Sequence, residues 1–220
     1  MSLLPCVEVN PQQNANAAVI WLHGLGADGH DFEPIVPHIQ LAAGVHARFI
    51  FPHAPKIPVT INGGMTMPAW YDILEMSIER SVDETQLRAS AAQAIALIER
   101  EIERGIPANR IVLAGFSQGG AVAYEAALTY DKTLAGVMCL STYLATHASI
   151  QPTDAQQQTP FLVQHGSQDP VVPEVLGQQA KQWLEQRGYA VTYQTYPMAH
   201  QVCPPQIQDI SQFLQRVLPA

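Results

Sequence analysis

The segment Gly115-Phe116-Ser117-Gln118-Gly119 sets a serine between two glycines in the pattern G-x-S-x-G. A serine hydroxyl is a weak nucleophile until a base activates it, and the pattern has meaning only between a strand and a helix. Here the apolar run Ile111-Val-Leu-Ala114 precedes it, and a helical stretch from Ala121 to Tyr130 follows. A serine on so sharp a turn needs glycine two positions to either side, because larger side chains would collide. The turn also sets Ser117 at a helix N-terminus, where free N–H groups favour developing negative charge. Gly120 lets the helix lie close to the strand layer. A glycine-rich turn with an incidental serine would look the same, so the remaining parts of acyl-transfer chemistry must be found independently.

Such a nucleophile needs a base and an acid to orient it, in the chain order Ser, acid, His. The histidines beyond Ser117 are His147, His165 and His200. His165 ends a strand-like run ahead of the acid and reads as a packed, hydrogen-bonded residue. His147 precedes every acid that could stand at a strand end. His200, in Tyr196-Pro-Met-Ala-His200, follows the last strand-like run and precedes the terminal helix. It fits the base. Of the intervening aspartates, Asp131 reads as a helix-end surface residue and Asp154 sits in the polar stretch Thr153–Thr159. Asp169 follows the run Phe161–Gln164, so its loop lies at the carboxyl edge of the strands, where the sites of open α/β sheets collect. An Asx turn before Pro170 is its competing role. Glu174, inside the next helix, is the weaker acid.

Acyl transfer also needs donors for a tetrahedral oxyanion. The N–H of Gln118, directly after the serine, supplies one. The turn Leu22-His-Gly-Leu-Gly-Ala-Asp-Gly29 suits the second, with the N–H of Leu25 the best candidate because flanking glycines allow close backbone approach. This turn lacks the spacing of a phosphate-binding loop, which argues against nucleotides.

The elements that must hold these groups are legible as apolar runs: Ala18–Leu22, Arg48–Phe51, Ile111–Ala114, Ala135–Leu140, Phe161–Gln164 and Val191–Tyr196. Several are continuously apolar, as strands buried on both faces are. Between them lie helical patterns. Ser81 and Glu84 form a capping-box pattern before Leu87, Ala91, Ala94, Ile95, Ile98 and Ile102, and Gly105 and Pro107 end that run. Pro173–Gly188 and the tail from Ile207 to Leu218 repeat the helical spacing. The alternation predicts an α/β fold, a mostly parallel central sheet with helices on both faces, within one domain spanning residues 1–220. The stretch from Pro52 to Ile78 is rich in Pro, Gly and Met and shows no period, so it reads as a long functional loop. Its Met65, Met67 and Trp70 are candidates for the wall of an acyl-chain groove, Met because it adapts to varied chains. Trp70 as a plain anchor of the loop is the alternative.

Bulk properties exclude several classes. A net charge of −8 without any Lys/Arg run disfavours nucleic acid. The N-terminus lacks a signal-peptide pattern, and no apolar stretch approaches the ~20 residues of a membrane helix. The three cysteines, Cys6, Cys139 and Cys203, suit free thiols rather than a disulfide framework. No metal-ligand spacing appears. The expectation is a soluble cytoplasmic protein that needs no cofactor or metal and takes a small acyl ester or thioester. A homodimer is left open.

Together these residues resemble the carboxylesterase, lysophospholipase and acyl-protein thioesterase family of α/β hydrolases. The matching blocks are Leu22–Gly26, Pro52–Pro55, Pro68–Asp72, Gly115–Gly120, Asp169–Pro173 and Tyr196–His200, in order along nearly the whole chain. The resemblance implies the α/β-hydrolase fold, Ser117, Asp169 and His200 as a catalytic triad, and Leu25 and Gln118 as oxyanion donors. It also implies that the loop around Met65–Trp70 flanks an acyl pocket. Eukaryotic acyl-protein thioesterases carry a lipidated cysteine beside the initiator Met, whereas this chain has Ser2 and a first cysteine at Cys6. That favours a bacterial-type carboxylesterase. The chain is too short for a large cap domain, so an open site is expected.

Overall fold

The computed structural model describes residues 3–76 and 80–220. The strands are β1 (Cys6–Val9), β2 (Ala17–Leu22), β3 (Ala47–Pro52), β4 (Lys56–Val59), β5 (Met65–Pro68), β6 (Ile73–Glu75), β7 (Ser81–Val82), β8 (Ile111–Phe116), β9 (Gly136–Leu140), β10 (Phe161–Gly166) and β11 (Val191–Tyr196). The α-helices are α1 (Glu84–Glu103), α2 (Gln118–Thr129), α3 (Glu174–Glu185) and α4 (Pro204–Val217). Seven strands form one sheet in the spatial order β1-β3-β2-β8-β9-β10-β11. All neighbours run parallel except β1, which is antiparallel to β3.

The strands are apolar throughout because both faces are covered. In β2, Ala18, Ile20 and Leu22 pack among Leu87 and Ile98 of α1, Val122 of α2 and Leu184 of α3. Ala17, Val19 and Trp21 face the other way, among Ile210, Phe213 and Leu214 of α4. Three helices thus cover one face and α4 the other. Each large apolar side chain buried this way contributes about 1.5–3 kcal/mol, so the register that puts β8 between β2 and β9 is firmly held.

Two sequence expectations change. Ser81 does not cap α1; it pairs within the two-residue strand β7, opposite Glu75 of β6. Asp83 is the N-cap, its carboxylate accepting from the Gln86 N–H at 3.0 Å. An aspartate directly before the helix reaches the third amide of the first turn as a boxing serine would, and lies nearer. The other end matches expectation: Gly105 takes φ +95 and the Ile106 N–H closes on the Glu101 carbonyl at 3.0 Å.

The aperiodic stretch 52–78 is not a plain loop. β4 and β5 form a hairpin with Val59 opposite Met65, turning through Gly63 and Gly64 at φ +66 and +76. β6 pairs with β7. Pro58 and Pro68 within these short strands hide the strand signal. Residues 77 and 78 lie outside the described ones. Among the described residues no large cap domain covers the carboxyl edge of the sheet, and no helix is long and apolar enough to cross a membrane.

Candidate active site

Ser117 stands between β8 and α2 with φ +54 and ψ −121, a strained conformation for a non-glycine residue. Its N–H donates to the Leu140 carbonyl at 2.9 Å, and the Thr142 hydroxyl donates to the Ser117 carbonyl at 2.6 Å. The flanking glycines are sterically required. A Cβ on Gly115 would lie 2.2 Å from the Gly119 oxygen, and one on Gly119 would lie 2.5 Å from the carbonyl oxygens of Leu22 and His23. A Cβ on Gly120 would strike Thr142 at 2.5 Å. Gly119→Ala is therefore expected to lose at least about 1–3 kcal/mol, since backbone rather than a flexible side chain must move. Urea unfolding measures this, and an unchanged midpoint would contradict the close approach of α2 to the turn after β2.

The structure brings Ser117, His200 and Asp169 into one hydrogen-bonded chain. His200 Nε2 lies 2.9 Å from Ser117 Oγ, and His200 Nδ1 lies 2.6 Å from Asp169 Oδ2. A carboxylate can only accept, so Nδ1 carries the proton and Nε2 presents a lone pair to the serine hydroxyl. Asp169 Oδ1 accepts from the N–H groups of Val171 and Val172, each at 2.9 Å. The Asx turn and the partner of His200 are thus the same residue, one role per oxygen. Burial pushes the Asp169 carboxyl up, but the hydrogen bonds from His200, Val172 and Val171 outweigh it and hold its pKa below the usual carboxylate value. The Phe116 ring packs against His200 with centroids 4.8 Å apart.

The other candidates stand elsewhere. Asp131 and Asp154 are exposed, and Glu174 accepts from Gln178 at 2.8 Å. His147 is exposed. His165 is buried, its Nε2–H donating to the Val172 carbonyl at 2.8 Å, which makes it a packing residue behind the Asp169 loop.

Leu25 and Gln118 line a cavity of about 320 Å³ together with Ser117 and His200. The Gln118 N–H opens α2 and so has no acceptor within the helix. The Gln118 side chain ties down the segment after β5, accepting from the Trp70 N–H at 2.8 Å and donating to the Tyr71 carbonyl at 2.6 Å. The turn that carries Leu25 is held by His23, which sequence reasoning passed over. Its Nδ1–H donates to the Gly24 carbonyl at 2.7 Å, while Nε2 accepts from the Ala54 N–H at 3.1 Å. A histidine at a strand end directly before a glycine turn was the available signal.

Burial holds the pKa of both His23 and His165 below the ordinary imidazole value. In the unfolded chain each ring takes a proton near its ordinary value of about 6.5. Between that value and the lower folded one, the unfolded state binds more protons, so stability falls as pH drops through this window. The Tm is expected to fall on acidification below about pH 6.5, and His23→Gln to flatten that fall. An equally steep decline in the variant would show that His23 is not among the groups responsible.

The candidate groove residues stand apart from the cavity beside Ser117. Met65 is 64% exposed on the hairpin, Met67 takes a contact from the Asn62 amide at 3.2 Å, and none of Met65, Met67 and Trp70 lines the cavity beside Ser117. Trp70 is 1% exposed, and its indole N–H donates to the His23 carbonyl at 2.8 Å, so it anchors the wall under the turn of Leu25. Within the same stretch, Ile61, Asn62, Ile73 and Met76 line the cavity instead. The hairpin leaves Met65 exposed, and the lining comes from Ile61 and Asn62 after β4, Ile73 at the start of β6 and Met76 just beyond its end. Trp70→Ala is expected to lose about 3–5 kcal/mol, whereas Met65→Ala leaves Tm and acyl-length preference unchanged. A change of length preference in Met65→Ala would restore Met65 to the groove.

Comparison with known proteins agrees with this architecture. A family model described as Phospholipase/Carboxylesterase matches residues 5–218. Acyl-protein thioesterase 1 of Neurospora crassa is 41% identical over 214 residues, covering 92% of this chain and 87% of that protein. Acyl-protein thioesterase 1 of Gibberella zeae is 39% identical, covering 92% of this chain and 91% of that protein. The crystal structure of Arabidopsis thaliana SOBER1 superposes with a TM-score of 0.86 at 30% identity, over 93% of this chain and 100% of that one. The strained Ser117 turn and the parallel sheet beneath it are therefore those of an α/β hydrolase, and the chain belongs to the phospholipase/carboxylesterase family of that fold.

Proposed function

We propose that the chain is a carboxylesterase that hydrolyses short- to medium-chain acyl esters through an acyl-enzyme on Ser117. The observation that carries this is the chain of hydrogen bonds from Asp169 through His200 to Ser117, opening on a cavity lined by Leu25 and Gln118. His200 Nε2 takes the hydroxyl proton as Ser117 Oγ attacks the acyl carbonyl, and the N–H groups of Leu25 and Gln118 receive the oxyanion. The same imidazole then returns the proton to the leaving alcohol. A water follows, activated by His200, and releases the acid. Asp169 fixes the imidazole tautomer throughout.

The acyl chain runs along the apolar side of the cavity, where Ile73 and Met76 line it. Each methylene buried there contributes up to ~0.8 kcal/mol, so kcat/KM climbs by up to about fourfold per carbon until the cavity is full. A flat profile from acetyl to octanoyl esters would place the acyl chain elsewhere.

A thioesterase reading has one specific observation in its favour, the fungal relatives named acyl-protein thioesterase 1. Oxygen esters and thioesters with the same acyl group and comparable leaving groups distinguish the two. The carboxylesterase reading expects kcat/KM on the oxygen ester to equal or exceed that on the thioester. A clear thioester preference reverses the assignment.

A further inference from the structure

Arg80 stands where two cavities meet. It lines the cavity that holds Ser117 and His200, and it also lines a neighbouring one of about 580 Å³ bounded by Tyr143, Leu144, Leu176 and Trp183. The residue is only 9% exposed, yet its partners are weak for a buried cation. One terminal nitrogen, Nη2, donates to the Val171 carbonyl, and the other, Nη1, meets the Met76 thioether at 3.1 Å. The guanidinium carbon lies 4.9 Å from the centre of the Tyr143 ring. Its Nε is buried with no acceptor among the described residues.

Among the described ion pairs the other arginines either have carboxylate partners or, like Arg110, Arg187 and Arg216, have none but are not buried. Arg48, Arg88, Arg100 and Arg104 pair with Glu8, Glu84, Glu101 and Glu125, whereas none of the described ion pairs involves Arg80. A buried charge is ordinarily paired, because losing hydration without a counter-ion is costly. A wall between cavities needs only an apolar side chain. The guanidinium offers instead a planar fork suited to a carboxylate.

We propose that Arg80 recognises a carboxylate at the far end of the substrate's acyl chain, so that the substrates include half-esters of dicarboxylic acids. The proposal rests on Ser117 being the acylated residue. An acyl chain leaving Ser117 along Ile73, Met76, Tyr143 and Val172 passes residues that line the same cavity as Arg80, and two of them, Met76 and Tyr143, touch its guanidinium. Met76 is exposed and held by a weak contact, so a carboxylate can replace its sulfur at the fork. Asp31, the carboxylate that lines the cavity, repels such a group and favours its placement at Arg80.

The test compares 4-nitrophenyl hexanoate with the 4-nitrophenyl half-ester of adipic acid, which has the same acyl length and one terminal carboxylate. In Arg80→Met the ratio of kcat/KM on the half-ester to that on the hexanoate is expected to fall about 10- to 100-fold below wild type, the contribution of charge-assisted hydrogen bonds. Arg80→Lys keeps the charge but loses the fork, so its ratio falls less; it decides the matter if Arg80→Met does not fold. A ratio unchanged in the folded variants overturns the proposal, and so does an equal loss on both esters, which would mark Arg80 as a mere clamp on the Val171 loop. Calorimetric binding of adipic acid monoamide against hexanamide to wild type and Arg80→Lys supplies a readout free of hydrolysis. Tighter binding of the monoamide, weakened in Arg80→Lys, supports the proposal even if neither ester is cleaved, an outcome that would remove the Ser117 reading alone. Equal binding of the two amides overturns it.

Discussion

Replacing Ser117 by alanine lowers kcat on simple esters by about 10⁴- to 10⁶-fold and leaves the fold intact. The turn is built by groups other than the serine hydroxyl: the close approach of Gly115 and Gly119, the Ser117 N–H on the Leu140 carbonyl, and the Thr142 hydroxyl on the Ser117 carbonyl. Alanine keeps all of them. What it removes is the one atom that His200 Nε2 addresses at 2.9 Å. Residual activity then reflects only the oxyanion donors and substrate binding. Circular dichroism and urea unfolding establish the fold, and steady-state kinetics the loss. A folded variant that keeps a tenth of wild-type activity would mean that another group carries the acyl transfer.

Asp169→Asn follows with an expected loss on the order of 10⁴ in kcat, the effect of this change in a Ser-His-Asp triad. The local geometry says why the isosteric change is so damaging here. The amide oxygen of asparagine is needed where Oδ1 accepts the Val171 and Val172 N–H groups, both at 2.9 Å. That leaves the NH₂ group facing His200 Nδ1, 2.6 Å from the former Oδ2 position. A donor there forces the imidazole to carry its proton on Nε2, where it can no longer accept from Ser117. The loop stays folded, because its two backbone bonds survive. Asp131→Asn and Asp154→Asn, both at exposed positions remote from His200, are expected to change kcat by less than about twofold. Comparable losses at all three aspartates would remove the case for Asp169.

How far the sequence reveals the site depends on how local the cause is. Ser117 is legible because its strain demands glycines at fixed offsets, and His200 and Asp169 because chain order and strand ends constrain them. The parallel sheet is legible because strands covered on both faces are continuously apolar. β1 is not, since Cys6–Val9 is a short, half-buried edge strand paired antiparallel to β3. The groove residues escape for a different reason. Whether Met65 or Met76 meets the cavity depends on how the β4–β5 hairpin lies over the sheet edge, and Met content alone says nothing of it. Trp70 reads in the sequence either as groove wall or as an anchor of the loop, and only the structure shows its ring buried and its N–H donating to the His23 carbonyl. Arg80 is the least legible. Nothing in Glu79-Arg80-Ser81 indicates that the cation is buried without an ion pair among the described residues, because that fact belongs to the meeting of Met76, Tyr143 and Val171 around it.

In the proposed reaction Ser117 forms the covalent bond, driven by His200. Reaction with a fluorophosphonate followed by peptide mass spectrometry addresses it directly. One adduct per chain is expected, on Ser117 in the peptide that also carries Gln118, with labelling slowed by orders of magnitude in His200→Ala. An adduct on a different residue, or labelling at full rate without His200, would contradict it.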